Sequence, residues 1–533
     1  MPVKKDKSIV GTPLVLVIDC GTQSLRSALI DPTGAIVSMI NHPYVPYHSP
    51  KVGWAEKDPR DYWKALCITV HKIREQKADS WVDIIGVSVT VQRDTLVLVD
   101  QKGNPLYPAI LWLDKRKAKP DGKIPWYVRI GHRIVGMTET VQFVQTDAHI
   151  NWIRQNQYDL YKNSYKVLQL SGYLNYRLTG RFVDSYAAQI GRIPFDYRSN
   201  CWASPNNLNS QMFRIDPEKL PELSPPCEIL GQLSTEAAEA LNMEPGISII
   251  ATGSDKGCET IGAGCIDLSS ANLSLGTTAT VQTTSPRFFE PRRFFPPYPS
   301  VRPNYYNPEI EIFRGFWMVR WFRDEFGHIE ELAAEKTAKR VEVLLDELLD
   351  STPPGSYGLV MQPYWGGGLR NPEAKGAIIG FGEVHSRAYL YRSIIEGLSY
   401  AMLDGLHQIE RRGSIPAIED ITVSGGGSQS DKICQIIADV FGKPIRRNET
   451  HETTILGCAA VCFVGLGVHP SFESAKKVMI RKSDEFIPDA EHHYLYKQLY
   501  RHVYRPMYAR LKNLYKEIRA ITNYPEHIIG NNR

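Results

Sequence analysis

Leu14-Val-Leu-Val-Ile-Asp-Cys-Gly-Thr-Gln-Ser-Leu-Arg26 runs from an apolar strand through a glycine turn and out again. The aliphatic run Leu14–Ile18 soon reaches Asp19. It therefore reads as a buried strand and not as the core of a secretory signal, although Lys4, Lys5 and Lys7 precede it. Gly21 permits the tight turn, and Thr22 and Gln23 offer hydroxyl and amide donors. Arg26 adds a cation able to pair with phosphate oxygens. Asp19, at the strand end, can hold Mg2+ through water, since that ion keeps several waters and wants hard oxygen ligands. The bland alternative is a carboxylate that merely caps the turn.

Working outward, Ser27–Ile30, the turn Asp31–Gly34 and Ala35–Ile40 complete an antiparallel meander. Asp58 as N-cap and Pro59 at the first position open a helix to Arg74, with Tyr62, Trp63, Leu66, Val70 and Ile73 at helical spacing. Strands at Ile84–Val89 and Thr95–Val99 flank Gln92-Arg93-Asp94. Beyond Ile247 the order returns in altered form. Ile247–Thr252 ends in Gly253-Ser254-Asp255, and Ala271–Leu275 ends in Gly276-Thr277-Thr278. Many strands end in Gly-Thr, but two such bends suggest two related halves facing a shared cleft. A third glycine cluster, Ile421-Thr-Val-Ser-Gly-Gly-Gly-Ser-Gln-Ser430, joins a β-rich strand to an amphipathic helix carrying Ile433, Ile436, Ile437 and Val440. There the backbone can approach a flat or phosphorylated ligand, and the helix N-terminus adds unpaired N–H groups.

The chain has 533 residues, 43% of them hydrophobic, enough to bury a large core and to form more than one domain. Lys+Arg 62 against Asp+Glu 58 leaves +4, so nothing in the charge demands nucleic acid or a membrane surface as partner. The longest uncharged apolar run, Leu456–Val468, falls short of the ~20 residues that span a bilayer and reads as a helix buried on all sides. Nine scattered cysteines without a C-x-x-C pair suit a cytoplasmic protein with reduced thiols. Tyr496, Tyr500, Val503, Met507, Leu511, Leu514 and Ile518 form one helical stripe that packs on the body of the protein, with a kink expected at Pro506. The basic run Asp114–Lys123 reads as a solvated loop and Arg287–Pro303 as an ordered loop or insertion. Walker and Rossmann loops, H-E-x-x-H and G-x-S-x-G are all missing from the sequence.

These motifs, taken together, resemble the FGGY carbohydrate kinases. The likeness runs over almost the whole chain in family order. It includes Asp19-Cys-Gly-Thr-Gln-Ser24, Gly53-Trp-Ala-Glu-Lys-Asp-Pro59, Gln92-Arg-Asp-Thr95, Trp112-Leu-Asp114, Gly253-Ser-Asp255, Leu275-Gly-Thr277, Tyr391-Arg-Ser-Ile-Ile-Glu-Gly397 and Ser424-Gly-Gly-Gly427. The resemblance implies an α/β fold of the two-lobed, actin-like (ribonuclease H-like) ATPase type, with duplicated domains and an interlobe cleft. Residues 13–266 would form a sugar-binding lobe and 267–533 an ATP-binding lobe. It also implies transfer of the ATP γ-phosphoryl group to a sugar or polyol hydroxyl, with Mg2+. Thr22, Gln23 and Arg26 would face the phosphates, joined by Gly276 and Thr277. Gly426, Gly427 and Ser430 would border the adenosine, and Asp255 would be the catalytic base. That acid stands at an expected helix start, where the dipole favours its ionised form. Sugar or polyol and ATP are the implied partners, with a homodimer left open.

The sugar pocket departs from the family pattern. Arg93, Asp94, Trp112, Asp114 and Asp255 would contact the substrate. Glycerol kinases have Glu where Asp94 stands, and xylulokinases have Met-His at Arg93 and Asp94. The shorter Asp withdraws the carboxylate by about 1.5 Å, leaving room for a four- to six-carbon polyol or ketose such as xylulose. His149-Ile150-Asn151-Trp152 replaces a segment that usually contains Lys, and Lys256 stands where Gln or Asn is commoner. The competing readings are a glycerol kinase-like enzyme, a catalytically silent sugar-binding regulator, and another ATPase of the same superfold.

Overall fold

A computed structural model describes residues 11–120, 133, 138–365 and 373–524. The chain divides into two units: Met1–Gly262 with Tyr298–Asn307 and Glu452–Ile480, and Ala263–Pro297 with Pro308–His451 and Arg481–Arg533.

In the first unit, β1 (Leu14–Cys20), β2 (Ser24–Ile30) and β3 (Ile36–Pro43) form the antiparallel meander. On the other side of β1 lies β4 (Ile84–Val91), parallel to it, followed by β6 (Ser248–Ile250), also parallel, and the antiparallel edge strand β5 (Ile229–Gln232). The six-stranded order is β5-β6-β4-β1-β2-β3. Every residue of β1 is buried. Its apolar residues run without alternation because helices cover this sheet: α1 (Pro59–Gln76) packs on β2 and β3, and α4 (Thr453–Gly465) on β1 and β4. Asp58 caps α1 by accepting from the Arg60 N–H at 2.9 Å. The strand expected at Thr95–Val99 is Leu96–Val99, and it belongs to a separate four-stranded sheet with Glu56–Lys57, Ala109–Ile110 and Lys166–Gln169.

Helix α4, from the all-apolar run, is buried at Thr453 and throughout Ile455–Phe463. It crosses α2 (Asp255–Gly262) at backbone contact. A Cβ on Gly457 would stand 1.9 Å from the Cys258 carbonyl oxygen, and one on Gly262 would stand 1.8 Å from that of Thr453. Only glycine fits either position, so this crossing fixes where α2, with Asp255 at its head, emerges from the core.

The second unit repeats the plan. Strands β7 (Ser270–Leu275), β8 (Ala279–Gln282) and β9 (Glu309–Ile312) make a meander; β10 (Asp420–Ser424) and β11 (Ile445–Asn448) add in parallel, and β12 (Lys482–Phe486) closes antiparallel. The order is β9-β8-β7-β10-β11-β12. The helix Arg387–Gly413 and α3 (Asp431–Phe441) supply much of this core. The C-terminal helix is interrupted by a π turn at Tyr500–Tyr504, just before Pro506. A proline lacks the N–H and crowds the carbonyl four residues back, which accounts for the widened turn where a kink was expected. Tyr496, Tyr500 and Met507 are buried, as are Tyr515 and Arg519, while Leu514 and Ile518 are 57% and 42% exposed, so beyond the π turn the packed stripe runs one residue out of step with its sequence expectation. Arg287–Pro303 is an ordered loop, tied by Arg287 to the Gly413 carbonyl and by Arg292 to Gln408, each at 3.1 Å.

Candidate active site

At the first bend, buried Asp19, next to last in β1, accepts from the Arg26 guanidinium at 2.5 Å across the β1–β2 pair. Arg26 also donates to Glu452 at 2.5 Å, so the cation expected at phosphates bridges two carboxylates. Burial pushes the Asp19 carboxyl up to about 6; Arg26 pulls it down, and the charges of Asp255 and Glu452 raise it further. The Thr22 hydroxyl donates to Gln92 Oε1 at 2.5 Å and accepts from the half-exposed Trp112 indole at 3.1 Å. Gln23 is exposed.

Asp255 opens α2. Ser254 donates its N–H to the Ala187 carbonyl, while its hydroxyl accepts from Gly257 N–H and from Arg93 Nε, each at 3.2 Å. Some of the Asp255 side chain reaches solvent, yet protein packs closely enough around the carboxyl for desolvation to raise its pKa. Arg93 and Lys256 oppose that rise, and Glu259 adds to it. Burial therefore opposes the ionising helix dipole expected for this acid.

Asp94 has a left-handed backbone (φ 51), a conformation Asp tolerates better than most residues. Its N–H donates to Ile190 at 3.1 Å, and its carboxylate accepts from Arg192 through both the backbone N–H, at 3.2 Å, and the guanidinium. The arginine gripping Asp94 is thus Arg192, while Arg93 bonds Ser254. Arg192 also pairs with Asp147, which in turn pairs with Lys117. His149 is buried among these groups, and desolvation lowers its pKa.

Asp114 accepts from the Ala55 N–H at 2.6 Å and from the Arg116 N–H, Nε and Nη2 at 2.8 Å each. Arg116, expected in a solvated loop, is buried. It bonds Glu56 at 2.8 Å and lies 3.8 Å from the Trp54 ring centroid and 4.7 Å from that of Trp152. A guanidinium with acids on its edge and two mutually packed indoles against it can leave water with its charge compensated. Lys123, from the same basic run, lies outside the described residues.

In the second unit, the β7–β8 turn is held by its backbone: Gly276 and Thr277 carbonyls accept from Phe316 and Trp317 N–H at 3.0 and 3.3 Å, and the Thr277 side chain is exposed. After β10, Gly425 is left-handed (φ +79), and open space surrounds the position of a Cβ on Gly426. One on Gly427 would press on Phe316 at 2.8 Å and Leu275 at 2.9 Å. The Ser430 hydroxyl caps α3, accepting from the Ile433 N–H at 3.2 Å. A short glycine floor here leads straight into a capped helix N-terminus.

Arg192, Asp147 and Glu452 were missed from sequence. Glu452 immediately precedes α4, but only the fold brings it to Arg26. Arg192 has no local signature. Among the described residues no three His, Cys, Asp or Glu side chains are grouped to hold a metal. Mg2+ needs no such cage, being bound through one or two carboxylates, waters and substrate phosphates. Asp19 and Asp255, close enough for one charge to raise the other's pKa, fit that demand.

Residues 14–262 match the N-terminal domain of the FGGY family of carbohydrate kinases and residues 271–466 its C-terminal domain. The chain belongs to this family, and it is a sugar kinase. It is 29% identical over 518 residues to the uncharacterized sugar kinase YgcE of Escherichia coli (strain K12), covering 94% of this chain and 97% of the relative. It is 26% identical over 510 residues to the xylulose kinase of Lactococcus lactis subsp. lactis (strain IL1403), with the same coverage. The crystal structure of gluconate kinase from Lactobacillus acidophilus superposes with a TM-score of 0.79 at 20% identity, over 95% of this chain and all of that one, and so shares its fold. Among the described residues no helix is long and apolar enough to cross a membrane.

Proposed function

We propose that the chain transfers the γ-phosphoryl group of ATP to a hydroxyl of a ketopentose such as xylulose, or of a related four- to six-carbon polyol. Residues 13–266 handle the sugar and the proton, and residues 267–533 handle the nucleotide. The observation that carries the reading is a desolvated acid, Asp255, at the head of a helix whose position is fixed by the Gly262–Gly457 crossing.

Phosphoryl transfer leaves a protein little covalent work beyond positioning, neutralising charge and removing the hydroxyl proton. In this reading the Asp255 carboxylate accepts that proton. Desolvation makes it a better base than an exposed acid, while Arg93 and Lys256 keep the ionised form accessible. Arg93, Asp94 and Trp112 contact the sugar, and Asp114 orders the same wall through Arg116. Thr22, held by Gln92 and Trp112, presents its turn to the phosphates with Gln23 and Arg26. Gly276 and Thr277 offer a second phosphate-facing turn, and Gly426, Gly427 and Ser430 border the adenosine. Mg2+ carried with the nucleotide would supply charge neutralisation, and Asp19 would be the carboxylate to hold it.

A coupled assay of ADP release across ketopentoses, polyols and aldonates tests the reading. It predicts release that depends on a sugar and is greatest with a ketopentose or polyol. Equal ADP release with and without every sugar would overturn it.

A further inference from the structure

Arg192 lies on the segment Val183–Arg192, which is anchored at one end by a buried acid. Asp184 accepts from Ser171 at 2.6 Å, Asn175 at 2.9 Å, Gln189 at 2.7 Å and the Ser185 N–H at 2.8 Å, which satisfies it fully. Partway along, the Ala187 carbonyl receives the Ser254 N–H, next to the proposed base. At the far end, Ile190 and Arg192 grip Asp94 through the Asp94 N–H and carboxylate. One short segment thus touches both the sequence that presents Asp255 and the acid that reads the sugar. Arg192 is a poor free cation: its guanidinium is shared between Asp94 and Asp147, and the three side chains are 27%, 12% and 13% exposed.

We propose that Arg192 is a specificity-determining residue, which presents Asp94 as a hydroxyl acceptor and, being already paired with two carboxylates, selects an uncharged polyol or ketose over a sugar acid. The inference rests on the sugar-kinase site proposed above. An aldonate carboxylate brought against Asp94 and Asp147 meets two acids whose shared Arg192 guanidinium is already taken, and like charges at short range in a partly desolvated pocket repel. A neutral hydroxyl can both donate to Asp94 and accept from Arg192, so it suits a paired acid and base. The replaced segment His149-Ile150-Asn151-Trp152 fits this scheme, because the buried His149 is held towards its neutral form and adds no free cation.

The experiment measures KM and kcat for D-xylulose, xylitol and D-gluconate, and KM for ATP, in the wild type, Arg192→Met, Arg192→Lys and Asp147→Asn. The wild type is expected to prefer a neutral substrate. Arg192→Met should raise the KM for it by about tenfold, the size of one lost charge-assisted contact, with kcat and the KM for ATP changed far less. Arg192→Lys, a point charge able to serve only one of two acids, should fall between. Asp147→Asn leaves one side of the guanidinium free and should shift the gluconate-to-xylulose ratio of kcat/KM towards gluconate. Preference of the wild type for gluconate, an unchanged sugar KM in Arg192→Met, or an unmoved ratio in Asp147→Asn would each overturn the proposal. The last variant keeps the test decisive if Arg192→Met folds poorly. An absence of sugar-dependent ADP release from the wild type would instead defeat the kinase reading beneath it.

Discussion

The two six-stranded sheets share strand order and direction, β3-β2-β1-β4-β6-β5 matching β9-β8-β7-β10-β11-β12, yet their first hairpin turns are built from different chemistry. In the first unit the β1–β2 turn is dressed in charge: Asp19, Arg26 and Glu452 form a continuous ion-paired chain, and Thr22 is locked by Gln92 and Trp112. In the second unit the β7–β8 turn is held by backbone bonds to Phe316 and Trp317, and the neighbouring glycine turn has almost no side chain. The same topology thus yields one turn lined by charged side chains and another that leaves its backbone open to close approach. That difference is a property of side chains at strand ends, which the sheet topology does not dictate.

The comparison breaks most completely at the base. Asp255→Asn should cut kcat by roughly 10²–10⁴-fold, the range for loss of a general base, as measured by ADP release. Next comes the helix crossing that fixes the base. In Gly457→Val the side chain would enter the space of the Cys258 carbonyl, and overpacking of this kind costs ~1–3 kcal/mol or more. Thermal unfolding should show a lowered Tm, and turnover should fall further than the lost folded fraction explains. In the second unit, Gly427→Val pushes on Phe316 and Leu275 and is expected to raise the KM for ATP several-fold while leaving the sugar KM nearly unchanged. The smallest effect is that of Ser430→Ala. It removes the cap from α3 at a cost of about 1 kcal/mol, seen as a Tm lower by a few degrees.

The pH response probes the charged turn of the first unit, where burial raises both Asp19 and Asp255. Asp19 is pushed up to about 6 by burial, so its ionised form, and the activity that uses it, should be lost as pH falls through about 6. Stability runs the other way. A carboxyl whose folded pKa lies above its unfolded value binds more protons when folded, so this group's contribution is full below the unfolded value and declines as pH rises towards about 6. A rate profile with an acid limb, alongside a Tm contribution from Asp19 that falls in the same range, is the expected pair of results. Asp19→Asn removes the Tm component.

Much of this architecture was legible in the sequence, because it follows from local patterns. Leu14–Ile18 ends in Asp19-Cys20-Gly21, Asp58-Pro59 announces α1, and Ser424-Gly425-Gly426-Gly427 announces a strand-to-helix turn; each is set by near neighbours. Partnerships were not legible. Arg93 adjoins Asp94 in sequence, but the left-handed backbone of Asp94 and the return of Ile190–Arg192 give the carboxylate to a residue far along the chain. Arg116 looked solvated because its run is basic, and only the assembled fold brings the packed pair Trp54 and Trp152 against it. Likewise, the buried stripe passes from Leu514 and Ile518 to Tyr515 and Arg519 after the π turn, a change of register that a 3.6-residue periodicity does not record.

The most direct test of Asp255 as the proton acceptor is a calorimetric titration of Asp255→Asn with xylulose and with a non-hydrolysable ATP analogue. Both should bind within a few-fold of their wild-type affinities to an enzyme that no longer turns over. Loss of either affinity in step with the lost turnover would contradict the account, making Asp255 a residue that holds ligand or fold and leaving the proton without an acceptor.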